Sequence, residues 1–284
     1  MVVESLNPWL DKPFLIYAHQ GGALEGASST LAAIDQAISK GANAIELDVH
    51  ATKDRELVVC HDASVDRTTN SRGPISSFSL AELKEMDNAY WFVPNAREGT
   101  GLSDSDYTWR GKAPKDPRYG IATLREVIET FPEVILNLDI KQSGPQVDPY
   151  EELLAKLLRS YKRGDDVIVA SFLDSATEAF AKCAPEIAVS AGTLATADFY
   201  RSAHGDHDIE KVSYVALQAP HRYEDITVVD EAFVSYAHEI GIAVHVWTIN
   251  EEEEMGELMA LGVDGIISDR PSLLASVAKS QGKA

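Results

Sequence analysis

The stretch Ala44–Asp62, AIELDVHATKDRELVVCHD, decides the fold. Its first half alternates: Ile45, Leu47 and Val49 point one way, and Glu46, Asp48 and His50 the other. The apolar side suits packing against outer helices. The polar side then faces the lumen of a barrel. KDRE follows as a turn, with Asp54 and Arg55 at its tip, and LVVCHD returns as the second arm of a hairpin. Counting back from that tip pairs Thr52 with Leu57, His50 with Val59, and Asp48 with His61. Opposed residues share a face, so this register sets His61 beside Asp48 and near Glu46. An odd-length turn would shift it.

Working outward, strand-like and helix-like segments alternate. Strands are expected at 14–19, 44–50, 134–141, 167–172, 187–191, 214–218, 243–249 and 265–268. Between them lie helical patterns such as TLAAIDQAISK, with Leu31, Ile34 and Ile38 on one face and Gly41 as a stop. Ser79 with Glu82, Thr123 with Glu126, and Asn250 with Glu253 read as capping boxes. Eight strands alternating with helices predict an α/β fold, a (β/α)8 TIM barrel. An open doubly wound sheet is the alternative, but no GxGxxG follows the first strand, which weakens a dinucleotide-binding reading. Residues 1–284 read as one barrel domain. Residues 62–120 break the rhythm as a long capping insertion after the second strand, on the carboxyl-end face, where barrel active sites are built. Tyr90, Trp91, Tyr107 and Trp109 lie within it.

The formal net charge of −20 sets the chain against nucleic acid and anionic membrane surfaces. No run of about 18 apolar residues is present, so no membrane-spanning helix is expected. No secretory signal is visible at the N-terminus. Two cysteines, Cys60 and Cys183, fit reduced thiols in a cytoplasmic protein. Oligomeric state is not legible.

The polar residues converge. Two inward carboxylates on one strand are costly to bury unpaired. A divalent cation resolves that cost, since hard cations take carboxylate oxygens. Salt bridges to lumenal Lys or Arg are the alternative. In ILNLDIK, Asn137, Asp139 and Lys141 share the inward face. Asp139 can supply a third carboxylate, while Lys141 offsets the excess charge and can reach a bound anion. His19 ends the first strand in YAHQGG, where Gly21 and Gly22 let backbone come close to a ligand. His19 and His61 flanking a metal-bound group suit general acid–base chemistry. His245 reads as lumen filling, and Trp247 as a substrate wall or as core. His204, His207, His221 and His238 read as solvated.

In order along nearly the whole chain, AHQGG, ELDVHATKDRELVVCHDASVDRTT, LDIK, VWTIN and GVDGIISDRP resemble the glycerophosphodiester phosphodiesterase family. The resemblance implies a (β/α)8 enzyme using one divalent metal ion, calcium or magnesium. It implies hydrolysis of a small-molecule glycerophosphodiester, with glycerol 3-phosphate and an alcohol as the expected products. A cyclic phosphate is the expected route, and direct attack by water is the alternative. Carried over by position, His19 and His61 become the acid–base pair, and Glu46, Asp48 and Asp139 the metal ligands. Lys141 lies near the phosphate, with Asp62 and Trp247 close to the site. Three departures stand out. Gln20 replaces the usual Arg, ASST at 27–30 replaces Pro-Glu-Asn-Thr, and Asp139 replaces the usual Glu. Gln20 can donate a hydrogen bond to phosphate but carries no charge. Asp139 also resembles the position in sphingomyelinase D-type phospholipases, so lysophospholipase D or sphingomyelinase D-like action on lipid phosphodiesters is the alternative substrate class. A non-catalytic phosphodiester-binding barrel is the alternative to an enzyme.

Overall fold

The computed structural model describes residues 7–96, 101–142, 144, 146–209 and 212–283. The strands are β1 (Leu15–His19), β2 (Ala44–Ala51), β3 (Leu57–Val59), β4 (Ile135–Ile140), β5 (Val167–Ala170), β6 (Ala188–Val189), β7 (Ala216–Pro220), β8 (Arg222–Tyr223), β9 (Ile226–Thr227), β10 (Ala243–Trp247) and β11 (Gly265–Ser268). The α-helices are α1 (Leu31–Ser39), α2 (Leu80–Lys84), α3 (Leu124–Thr130), α4 (Glu151–Ser160), α5 (Asp174–Cys183), α6 (Thr193–Ala203), α7 (Glu231–Glu239), α8 (Glu252–Leu261) and α9 (Pro271–Ser280). Eight parallel strands run β6-β5-β4-β2-β1-β11-β10-β7. A bridge from Ser190 to Ala216 closes the ring. Ala191 N–H donates to Ala216 at 2.9 Å and Val215 N–H to Val189 at 3.0 Å across that closure. All eight expected barrel strands form.

The alternation does what its spacing dictates. Ile45, Leu47, Val49, Leu136, Leu138 and Ile140 point outward into a fully buried shell with Ile34, Leu154 and Phe180 of the helices. A second apolar layer, with Tyr17, Ala44, Ile168, Ala243 and Ile267, fills the lumen at the amino-terminal strand ends, and Trp9 plugs it from below. Among the described residues, no helix is long and apolar enough to cross a membrane.

The hairpin register differs from the expected one by a residue. Val49 pairs with Val59, His50 with Val58, and Ala51 with Leu57. The cause is a three-residue turn. Thr52 N–H donates to Glu56 at 2.9 Å, and Arg55 takes the left-handed conformation at φ 66. The Arg55 guanidinium is held by the carbonyls of Asp148 and Pro149, at 3.0 and 2.5 Å. Cys60, not His61, therefore lies opposite Asp48, and its N–H donates to the Asp48 carbonyl at 3.0 Å.

Two capping boxes form as expected, at Ser79 with Glu82 and Thr123 with Glu126. The third does not: Glu251 is the N-cap of α8, without a side-chain bond, because Asn250 is engaged elsewhere. Gly21 and Gly22 adopt positive φ and are closely packed. A Cβ on Gly22 would stand 2.8 Å from Pro271, and one on Gly21 3.2 Å from Ile34.

The described part of the 62–120 insertion has its own small core of Val65, Ile75, Leu83 and Met86 against Val58, Cys60 and Ile121. Its aromatics are turned on one another. The Arg110 guanidinium lies 3.8 Å from the Tyr107 ring, 4.2 Å from Tyr90 and 4.9 Å from Trp91. Trp109 packs on Tyr119. Asn88 ties the insertion to the β1–α1 loop by donating to the Ser28 carbonyl at 3.1 Å.

Candidate active site

Strand register assembles the carboxylates. Asp48 and Asp139 are direct partners on β2 and β4, and His19 of β1 is the partner of Glu46. All three carboxylates are buried, Asp48 to 1% exposure. Lys141 Nζ bridges two of them, 2.9 Å from Asp48 Oδ1 and 3.2 Å from Asp139 Oδ2. The salt-bridge alternative is thus realised in part. Three carboxylates against one ammonium still leave two negative charges in excess when all are ionised. Burial, reinforced by Asp48 and Asp139, pushes the Glu46 carboxyl well up. Burial also raises Asp139, against the pull of Lys141. Burial opposes the Lys141 ammonium, yet Asp48, Asp139 and Glu46 outweigh it and raise its pKa. His50 is buried on the same face, and burial lowers its pKa against the pull of Asp48.

As the side chains stand, no group of three or more His, Cys, Asp or Glu among the described residues could hold a metal ion. The donor chemistry nevertheless fits a hard divalent cation. Asp48 Oδ2 and Asp139 Oδ1 are buried oxygens without a hydrogen-bond partner, and such orphaned charge is costly. Glu46 stands next to them on the same face.

The two histidines are each fixed at Nδ1. His19 Nδ1 lies 2.6 Å from Asp269 Oδ1. Asp269 is in turn held by Asn250, whose Nδ2 donates to Oδ2 at 2.8 Å and whose Oδ1 accepts the Asp269 N–H at 2.9 Å. His61 Nδ1 lies 2.7 Å from Asp62 Oδ1, and Arg67 grips the same carboxylate at 2.8 and 3.2 Å. Partial burial raises Asp62, but the bonds from His61 and Arg67 outweigh it and hold its carboxyl far below the usual range. The two imidazoles meet edge to face with centroids 5.8 Å apart. His61 thus reaches the site from the bend after β3, not from the ladder rung expected for it.

Gln20 adopts φ 54 and is almost fully buried. Its Oε1 accepts from Ser28 Oγ at 2.5 Å, and its Nε2 lies 3.2 Å from His19 Nε2. The two departures of sequence at 20 and 28 are therefore one neutral hydrogen-bonded pair. Trp247 stands at the rim, its ring 5.3 Å from that of Phe172, and the Phe172 ring lies 5.6 Å from Lys141 Nζ. His245 fills the lumen, fully buried. His221 is not solvated: it is buried, 2.6 Å from Glu254.

Asp269, Asn250, Arg67 and Phe172 were not expected at the site. Asp269 carried a usable signal. In a closed barrel the last strand neighbours the first, and Ser268 does pair with Ala18, which sets the next residue beside His19.

The profile of the Glycerophosphoryl diester phosphodiesterase family matches residues 19–273. The chain belongs to this family of phosphoric diester hydrolases. It is 30% identical over 270 residues to a glycerophosphodiester phosphodiesterase of Caldanaerobacter subterraneus subsp. tengcongensis, covering 94% of this chain and 99% of that one. It is 28% identical to a lysophospholipase D of Rattus norvegicus, covering 90% of this chain and 83% of that one. Among solved structures, a phosphodiesterase of Oleispira antarctica in complex with the product sn-glycerol-3-phosphate superposes with a TM-score of 0.70 at 24% identity, covering 95% of this chain and 99% of that one. That likeness supports the barrel fold.

Proposed function

We propose that the chain hydrolyses glycerophosphodiesters to glycerol 3-phosphate and an alcohol. His19 and His61 act as the acid–base pair, and Glu46, Asp48 and Asp139 hold one divalent cation, calcium or magnesium. The observation that carries the reading is the pair of imidazoles, each pinned at Nδ1 by a carboxylate, facing one another over buried carboxylates and Lys141. Pinning Nδ1 leaves Nε2 of each ring to exchange protons with substrate.

The bound cation would supply positive charge to the phosphoryl oxygens as negative charge builds on them. Lys141 adds a second cation on the same side and orients the phosphate. The Gln20 amide offers a neutral donor beside His19. One imidazole takes the proton of the substrate's glycerol 2-hydroxyl, which attacks the neighbouring phosphorus. That attack is intramolecular and gains from high effective molarity. The other imidazole protonates the departing alcohol. Water then opens the cyclic phosphate with the two roles exchanged.

The test is release of glycerol 3-phosphate from glycerophosphocholine, with and without chelator. Turnover should vanish with chelator and return with added calcium or magnesium. His61→Ala should lose about 10²–10⁴ of the rate while still binding cation. Full turnover in that variant would remove His61 from the acid–base pair. Unchanged cation affinity in Asp139→Asn would remove Asp139 from the ligands. Cation binding without turnover of any diester would favour a binding barrel.

A further inference from the structure

The two imidazoles of the site are mounted differently. His19 belongs to β1, where the ladder sets it beside Glu46. Its side chain is 17% exposed, and that of its partner Asp269 is 3% exposed. His61 lies one residue beyond Cys60, whose N–H bonds the Asp48 carbonyl. Its side chain is 34% exposed, and that of Asp62 is 32% exposed. Main-chain bonds can place the His61 Cα, but they leave the ring free to rotate about its side-chain bonds. The aim of this ring therefore depends on what holds Nδ1, which is Asp62.

Asp62 is in turn held by Arg67. Nε donates to Oδ2 at 2.8 Å and Nη2 to Oδ1 at 3.2 Å, and Oδ1 is the oxygen that lies 2.7 Å from His61 Nδ1. Two bonds from one planar guanidinium fix the plane of a carboxylate, which a point-like ammonium does not. A half-exposed ion pair adds little to stability, so what this one supplies is orientation. Arg67 is itself anchored in the insertion. It sits in a turn closed by Thr69, whose N–H and Oγ1 both donate to the Val65 carbonyl, at 3.1 and 2.8 Å. Val65 is fully buried in the small core of the insertion, and its N–H donates to the Gly73 carbonyl at 3.0 Å. Trp91 Nε1 donates to the Thr69 carbonyl at 2.8 Å. A continuous series of contacts thus runs from the core of the insertion to the His61 ring.

We propose that Arg67 is a positioning residue for His61. Acting through Asp62, it fixes the plane of the ring and aims Nε2 at the substrate, and the Val65–Thr69 turn of the insertion is the mount that carries it. This deepens the hydrolysis proposed above and rests on it. Nδ1 keeps its proton on the bond to Asp62, and the proton exchanged with substrate enters and leaves at Nε2. A misaimed Nε2 slows that transfer without altering what binds.

The experiment uses the full chain at saturating divalent cation with glycerophosphocholine. Arg67→Ala should lower kcat by about 10–100-fold and leave KM, cation affinity and melting temperature close to wild type. Added to Asp62→Asn, the same change should alter kcat by no more than about threefold, because the path through Asp62 is already cut. A second readout needs no turnover. The His61 Nδ1–H proton resonance, assigned by its loss in His61→Ala, should broaden or vanish in Arg67→Ala while that of His19 persists. If no diester is turned over but the resonances behave in this way, the catalytic reading fails and the positioning of His61 by Arg67 stands. An unchanged His61 resonance in folded Arg67→Ala overturns the proposal. A loss confined to KM overturns it too, since Arg67 would then touch substrate directly. So does a loss of rate that persists in full in the Asp62→Asn background, or one that only tracks a falling melting temperature.

Discussion

Replacing Asp269 by Asn tests the most specific piece of the site. The Asp269 carboxylate takes the His19 Nδ1–H at 2.6 Å and the Asn250 amide at 2.8 Å. His19 Nε2 is then the bare nitrogen, and the Gln20 amide stands 3.2 Å from it as donor. This chain of bonds assigns the tautomer. In Asp269→Asn the new amide keeps its oxygen toward the Asn250 donor and turns its own N–H₂ toward Nδ1. The imidazole proton must move to Nε2, the atom that needs to accept. In the Ser-His-Asp triad, the corresponding change keeps geometry and costs about 10⁴ in kcat through the wrong tautomer. We expect kcat for glycerophosphodiester hydrolysis to fall by about 10³–10⁴ on that basis, with KM and cation affinity little changed. The rescue is specific: Asn250→Asp added to Asp269→Asn restores one carboxylate to the pair and should recover about tenfold or more. A folded Asp269→Asn enzyme within tenfold of wild-type kcat would refute the positioning role.

Three further outcomes follow from packing and charge. Burial drives the His245 imidazole down to about 4, whereas in the unfolded chain it titrates near 6.5. The unfolded state therefore binds the proton first, and stability present above about pH 6.5 is lost as pH falls toward 4, by about 2 kcal/mol between pH 7 and 5. His245→Gln should flatten the pH slope seen in urea denaturation by that amount, and an unchanged slope would count against it. Gln20→Arg and Ser28→Glu should each lower the melting temperature, since each puts a charge where a neutral partner stands. The double variant should recover about 1–3 kcal/mol of that loss and bind glycerol 3-phosphate more tightly in product-inhibition assays; simple additivity would show that the pair is not a unit. Arg110→Ala removes the cation held by Tyr90, Trp91 and Tyr107. It should cost about 1–2 kcal/mol and expose the insertion to limited proteolysis, with the barrel core still protected.

The barrel was legible because its strands are sorted by a simple rule. A strand covered by helices outside and polar chemistry inside must alternate as Ile45, Glu46, Leu47, Asp48 and Val49 do. The same rule set Asp139 and Lys141 beside Asp48. Register was not legible at the hairpin, because it depends on one turn conformation. Arg55 at positive φ is a choice that residue preference assigns to Gly or Asn, and two distant carbonyls hold it there. Asn250 misled for a different reason. Asn followed three residues later by Glu satisfies a local capping pattern, but Asp269, nineteen positions on, competes for the same side chain and wins. The exposure of Phe172 was hidden because VIVASF reads as one buried run. The strand ends at Ala170, so Phe172 passes into the loop and out to solvent.

The ring closure has a mechanical consequence. On one side, β2 and β4 share six paired residues. On the other, β5 and β6 share two, and β6 meets β7 through a bridge at Ser190 and Ala216. A cylinder with so few rungs in one wall yields there first. The yielding wall lies beneath Leu194, Tyr223 and Ile226, and the stiff wall beneath Asp48 and Asp139. One flank of the barrel can thus give while the other keeps Asp48, Asp139 and Glu46 in register.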